Sequence, residues 1–141
     1  MSAPLALPER NSLPPHRRLA PLLAVGVARV LASRKPVQLR LVLEFLCRGA
    51  PPATADQALE ARQAVVSVSL RCAGQACLQR SIAVALLCRF RGVWPTWCTG
   101  VRTSPFAAHA WIEVAGRPVG EPATAGHYRP LLVVPPATEA R

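Results

Sequence analysis

The sequence predicts an α+β fold, helices first and a small sheet after them, and three observations carry that prediction. Up to about Arg71, apolar residues recur at helical spacing between recognisable helix starts. After Gly74 a single strong helix, CLQRSIAVALLCRFRG, runs to a glycine. Beyond Gly92 the chain breaks into short alternating runs punctuated by Gly and Pro, the pattern of strands and turns. With 141 residues, 51% of them hydrophobic, the chain is sized for one compact domain over 16–134 with a substantial core.

Taken in order, residues 1–15, MSAPLALPERNSLPP, carry four prolines and no periodicity, and read as a flexible N-terminal arm. Residues 16–72 form a helical region. Its first two helices are RRLAPLLAVGVARVLASRK and VQLRLVLEFLCRG, with Pro36 placed to open the second. A third helix starts at Thr54 as N-cap and runs to about Arg71. Within it VVSVSL also reads as a strand; helix is preferred because the run continues the pattern of QALEARQA. Residues 73–134 make up the core that follows. Gly74 ends the third helix, a fourth starts near Cys77 and closes at Gly92, and WPTWCTGVRT, AAHAWIEV, RPVGE and RPLLVV supply β-like runs. Residues 135–141 are expected to be a flexible tail.

Seventeen Lys+Arg against seven Asp+Glu give a formal charge of +10, which points to an acidic partner. Nucleic acid is disfavoured, because Lys35 is the sole lysine and aromatic residues make up only 5%, too few for the stacking that accompanies single-strand recognition. The segment HRRLAPLLAVGVARVLAS imitates a signal peptide, but Pro21 and Arg29 interrupt it and no Ala-x-Ala exit follows. Its uncharged stretch is far shorter than the ~20 residues of a membrane span. It reads as a core helix, with no membrane association expected.

The five cysteines, Cys47, Cys72, Cys77, Cys88 and Cys98, are odd in number and lack paired short spacings, which fits a reducing, cytoplasmic setting better than a secreted disulfide framework. On the fourth helix Cys77, Ser81, Val84, Ala85 and Cys88 share one face, a packing stripe. Cys88 lies 88 − 77 = 11 residues beyond Cys77, roughly 16 Å along the axis, so the two cannot hold one metal ion. Cys72 and Cys77 lack a CxxC or HxxxH partner, so neither metal nor cofactor is expected. Cys47, Cys88 and Cys98 read as small buried hydrophobes. Cys77 differs by position. The first turn of a helix offers unpaired N–H groups and the positive end of the dipole, which lower a thiol's pKa and can hold an oxyanion.

A catalytic thiol needs an imidazole within reach. His16 sits in the basic N-terminal region and His127 in a Gly/Tyr/Arg loop. His109 lies on an alternating strand that puts His109, Trp111 and Glu113 on one side. Read alone, that strand equally suits a histidine hydrogen-bonded for structure. An imidazole used as a base usually has its other nitrogen fixed by a third group. Asp56 is far upstream, and Glu113 is roughly 13 Å from His109 along the strand. Glu121 would return on the neighbouring antiparallel strand. It faces the side of His109 only if the loop has an odd count, such as Ala115-Gly116-Arg117, or if a bulge adjusts the register. Glu121 also reads as a solvated strand-end carboxylate.

With these residues in place, the chain resembles the bacterial transglutaminase-like cysteine peptidases that mature lasso peptides, in particular the stand-alone leader peptidase of the split form. The resemblance rests on CLQRSIAVALLCRFRG followed by GVRTSPFAAHAWIEVAGRPVGE and covers roughly residues 70–134. It implies a transglutaminase/papain-like core, with the nucleophile at a helix N-terminus packed on a small antiparallel sheet. It also implies a triad of Cys77 as nucleophile, His109 as base and then acid, and Glu121 as orienting carboxylate, where the family usually has aspartate. The oxyanion would rest on the Cys77 backbone N–H, with the Gln75 or Gln79 side chain as further candidates. The implied reaction is hydrolysis of one peptide bond in a ribosomally made precursor, through a thioester. The implied partners are that precursor peptide, a separate leader-recognition protein and a lasso cyclase. Two other readings stand beside this one: acyl transfer from the same thioester to an amine, and a basic peptide- or nucleic-acid-binding module in which Cys77 is inert.

Overall fold

A computed structural model describes residues 14–74, 76–103, 105–121 and 128–137. Five helices precede a sheet: α1 Pro15–Ala32, α2 Pro36–Leu46, α3 Ala55–Val68, α4 Leu70–Ala73 and α5 Cys77–Phe90. The strands are β1 Thr96–Thr103, β2 Phe106–Val114, β3 Arg117–Pro118 and β4 Arg129–Val134, all antiparallel in the order β3-β2-β1-β4. This is the α+β arrangement expected from the sequence. The proposed arm and tail fall largely outside the described residues.

Local chemistry sets the helix ends. Pro15 and Pro36 each stand in the first turn of their helix, where a missing N–H is harmless. Thr54 caps α3 in a full capping box: its hydroxyl accepts from the Gln57 N–H, and its own N–H donates to the Gln57 side chain. The third helix does not reach Arg71 unbroken. It stops at Val68, Ser69 is extended, and the Ser69 hydroxyl accepts from the Cys72 N–H to start the one-turn helix α4. Serine serves better as a cap than inside a helix, which explains the break. Gly92, with φ 89°, turns the chain after α5.

Helix α5 is the centre of the molecule. Ser81, Val84, Ala85 and Cys88 of the expected packing stripe are buried, but so are Gln79, Ile82, Ala83 and Leu87. The helix is buried nearly all round because α1 and α3 pack against it on one side and the sheet on another. Trp97 and Ile112, from adjacent strands, join it in the core. The Trp97 indole donates to the buried Ser81 hydroxyl at 3.0 Å, fixing the sheet to the helix one turn after Cys77.

Helix α1 is built the other way round from most surface helices. It buries Pro21, Ala24 and Ala28 and turns Leu19, Leu22, Leu23, Val27 and Val30 outward, each 49–64% exposed. Small inner residues let α1 approach α5 closely. Among the described residues no helix is long and apolar enough to cross a membrane.

Candidate active site

The site is assembled where the start of α5 meets the middle of β2. Cys77 is the first residue of α5, and that helix has neither a side-chain N-cap nor an acidic residue in its first turn. Its first N–H groups therefore remain available to an anion. On β2, His109 pairs with Gly100 of β1. A Cβ at Gly100 would lie 2.5 Å from the Arg129 carbonyl oxygen and 2.9 Å from the Trp111 ring, so glycine lets β4 and the indole close in beside the histidine.

The register shows how Glu121 reaches His109. The hairpin turn holds two residues, Ala115 (φ 52°) and Gly116 (φ 77°), because Val114 pairs with Arg117 and Glu113 with Pro118. That count is even, not the odd Ala115-Gly116-Arg117. Continued regularly, it would set Glu121 opposite Ala110 and facing away from His109. The register still holds at Val119, whose N–H donates to the Ile112 carbonyl. Gly120 then adopts φ 68°, and the chain leaves the ladder as it would at a bulge. This departure brings a Glu121 oxygen to 2.9 Å from His109 Nε2, with the carboxylate side chain only 6% exposed.

With Nε2 on Glu121, Nδ1 is the ring nitrogen left for the thiol. The hydrogen bond with His109 pulls the Cys77 pKa below the ordinary thiol value, outweighing burial, and the Ala110 backbone N–H and the charges of His109 and Arg80 add to the effect. His109 is pushed up to about 9, by its bond to Cys77 and then by its bond to Glu121, against burial. Thiolate and imidazolium therefore stabilise one another. The imidazole is also flanked by aromatic rings, with Trp111 stacked at 5.9 Å and Tyr128 tilted at 5.2 Å.

The other cysteines behave oppositely. Cys47, Cys72, Cys88 and Cys98 are buried, and desolvation raises all four, Cys88 and Cys98 to about 12. Limiting iodoacetamide at pH 7, followed by peptide mapping, should thus label Cys77 well ahead of the rest; equal labelling would contradict an activated thiol. Reaction of Cys77 with an acyl substrate should follow a bell in pH. It rises below the ordinary thiol range as the ion pair forms, and falls through about 9 as His109 loses the proton it must give to a leaving amine.

Two sequence candidates for the oxyanion site fare differently. Gln75 lies outside the described residues. Gln79 requires a correction: it is buried, and its side-chain amide donates to the Val25 carbonyl at 3.2 Å, so it ties α5 to α1 instead of facing the thiol. The Cys77 N–H is left as the described donor. His16 is exposed on the first turn of α1, and His127 lies outside the described residues. Among the described residues no group of three or more His, Cys, Asp or Glu could hold a metal ion.

A groove of about 460 Å³ opens over Cys77 and His109. Its walls are Pro36 and Leu39 of α2, Leu78 beside the nucleophile, Trp97 and Val101 of β1, and Leu132 of β4, with Arg34 at the α1–α2 junction. An extended, mainly apolar peptide fits such a lining. The helical region therefore supplies one wall of the site, a role the sequence did not signal.

A family model described as the transglutaminase-like superfamily matches residues 21–133, more than three quarters of the chain and all three site residues. No curated protein and no solved structure is similar enough to the chain to match it.

Proposed function

The chain belongs to the transglutaminase-like superfamily, whose fold is of the cysteine-peptidase or acyltransferase type, and from that premise we propose that it is a cysteine peptidase which removes the leader from a ribosomally made lasso-peptide precursor. The observation that carries this reading is His109, held through Nε2 by Glu121 at 2.9 Å with its other nitrogen left for the activated thiol of Cys77. The lasso-specific part rests on the residues shared with that group of peptidases, from Cys77 through Glu121.

The geometry suits the reaction step by step. The Cys77 thiolate attacks the scissile carbonyl, and the negative oxygen forms against the α5 N-terminus, where the Cys77 N–H can donate. As the C–N bond breaks, the imidazolium of His109 protonates the leaving amine, which departs as the new N-terminus. His109, now neutral, takes a proton from water. The hydroxide attacks the thioester, releasing the leader carboxylate and restoring the thiolate–imidazolium pair. Glu121 keeps the ring oriented and its charged form stable throughout.

A separate leader-recognition protein would present the precursor and a lasso cyclase would take the product, in a reducing cytoplasm that suits unpaired cysteines. The test combines precursor, leader-recognition protein and this chain, with products weighed by mass spectrometry. Expected are two fragments whose masses add up to precursor plus one water. A product joined to an added amine would establish acyl transfer instead, and intact precursor would end the peptidase reading.

A further inference from the structure

Glu121 occupies a position that the hairpin alone does not fix. Beyond Val119 no backbone hydrogen bond among the described residues continues the ladder, and Gly120 has already turned out of register. A glutamate also has one more rotatable bond than an aspartate. Something else must hold its carboxylate at 2.9 Å from Nε2.

The side chain of Arg62, from α3, lies directly on Gly120. A Cβ at position 120 would come within 2.6 Å of the Arg62 Nε and 3.1 Å of its Cζ. Arg62, Arg80 and Glu121 line one cavity of about 10 Å³, shared with Ala58, Val84 and Trp111. That is space for one water at most, so the groups are closely packed. Arg80 is engaged elsewhere, donating to the carbonyls of Cys72 at 3.1 Å and Gly74 at 3.0 Å. Arg62 is in a different situation. Burial and the like charge of Arg80 both act against its guanidinium, and the carboxylate of Glu121 is the charge that favours it.

We propose that Arg62 is the positioning residue for the orienting carboxylate: its stem covers Gly120, its charge draws in Glu121, and the two together set the glutamate against His109. The role rests on the Cys77–His109–Glu121 assignment above, though not on which peptide is cut. The end of the Arg62 stem and its Nε also lie where a Cβ at position 120 would come.

The test needs no substrate. In Arg62→Met the stem over Gly120 is retained and the guanidinium is lost; Arg62→Lys retains a charge. The His109 C2–H is titrated by NMR, and Cys77 alkylation by iodoacetamide is followed against pH, on full-length protein checked for folding by circular dichroism. If Arg62 positions Glu121, Arg62→Met lowers the His109 pKa from about 9 toward its ordinary value. Cys77 alkylation near neutral pH then drops about tenfold for each unit by which the thiol's own pKa moves back up. Arg62→Lys restores most of both. The sign is diagnostic, because loss of a nearby positive charge with no change in Glu121 would raise the imidazolium pKa instead. An unchanged or raised pKa in Arg62→Met overturns the role. If that variant does not fold, Arg62→Gln, which also removes the charge, decides by the same readout, an unchanged or raised pKa again overturning the role. Glu121→Gln is run beside them. If it leaves His109 unmoved, the triad assignment itself fails; if it lowers the pKa while Arg62→Met does not, only the arginine's role falls.

Discussion

Cys77→Ala is expected to abolish the proposed precursor cleavage, with kcat/KM falling by at least about 10⁴-fold, the scale on which removal of a triad nucleophile acts in hydrolases. No other cysteine can take its place. The remaining four cysteines are buried and carry raised pKa values. Substrate affinity should be nearly unchanged, because the groove keeps its walls of Leu39, Leu78, Trp97 and Leu132. The measurement is single-turnover cleavage at saturating enzyme, with affinity read separately by fluorescence anisotropy of a labelled precursor. Cleavage persisting within a hundredfold of wild type would reject Cys77 as nucleophile.

Trp97→Ala should cost about 4 kcal/mol of stability. Trp97 is fully buried between α5 and the groove. Its removal leaves a large void and takes the indole donor from Ser81, a hydroxyl that is itself buried. Against a typical total of roughly 5–15 kcal/mol, that loss brings the fold close to its limit. Trp97→Phe separates the contributions, since it retains most of the ring and should cost about 1 kcal/mol for the hydrogen bond. Urea unfolding of the three proteins gives both numbers. A loss under about 1 kcal/mol for Trp97→Ala would mean that the ring is not packed as described.

How legible the site was in the sequence depended on the range of the forces that make it. Cys77 stood out because a helix start is written locally, in Gly74 and the apolar run that follows. His109 and Trp111 stood out because a strand alternates with period two, and the structure duly stacks them on one face. The Glu121 question could be posed as parity, yet its answer turned on whether the hairpin loop held two residues or three. It held two, and the left-handed Gly120 supplies the change of side. Ser69 was misread because a single hydroxyl bond to Cys72 N–H outweighed a helical pattern on either side of it. Gln79 read as an oxyanion candidate and not as a tie to α1, and Arg62 carried no signal at all. Their partners, Val25 and Gly120, lie more than fifty residues away in the chain, and only the packed fold brings them into contact.

The outward leucines and valines of α1 also govern how copies of the molecule treat one another in solution. Each copy carries a charge of +10, and the repulsion reaches over about one Debye length, roughly 10 Å at 0.1 M salt but only 3 Å at 1 M. The attraction between exposed Leu19, Leu22, Leu23, Val27 and Val30 acts at contact and is strengthened by salts such as sulfate. Dilute buffer therefore holds the ridges apart, while concentrated salt removes the barrier and leaves the attraction. As a colloid, this protein is one that salts out.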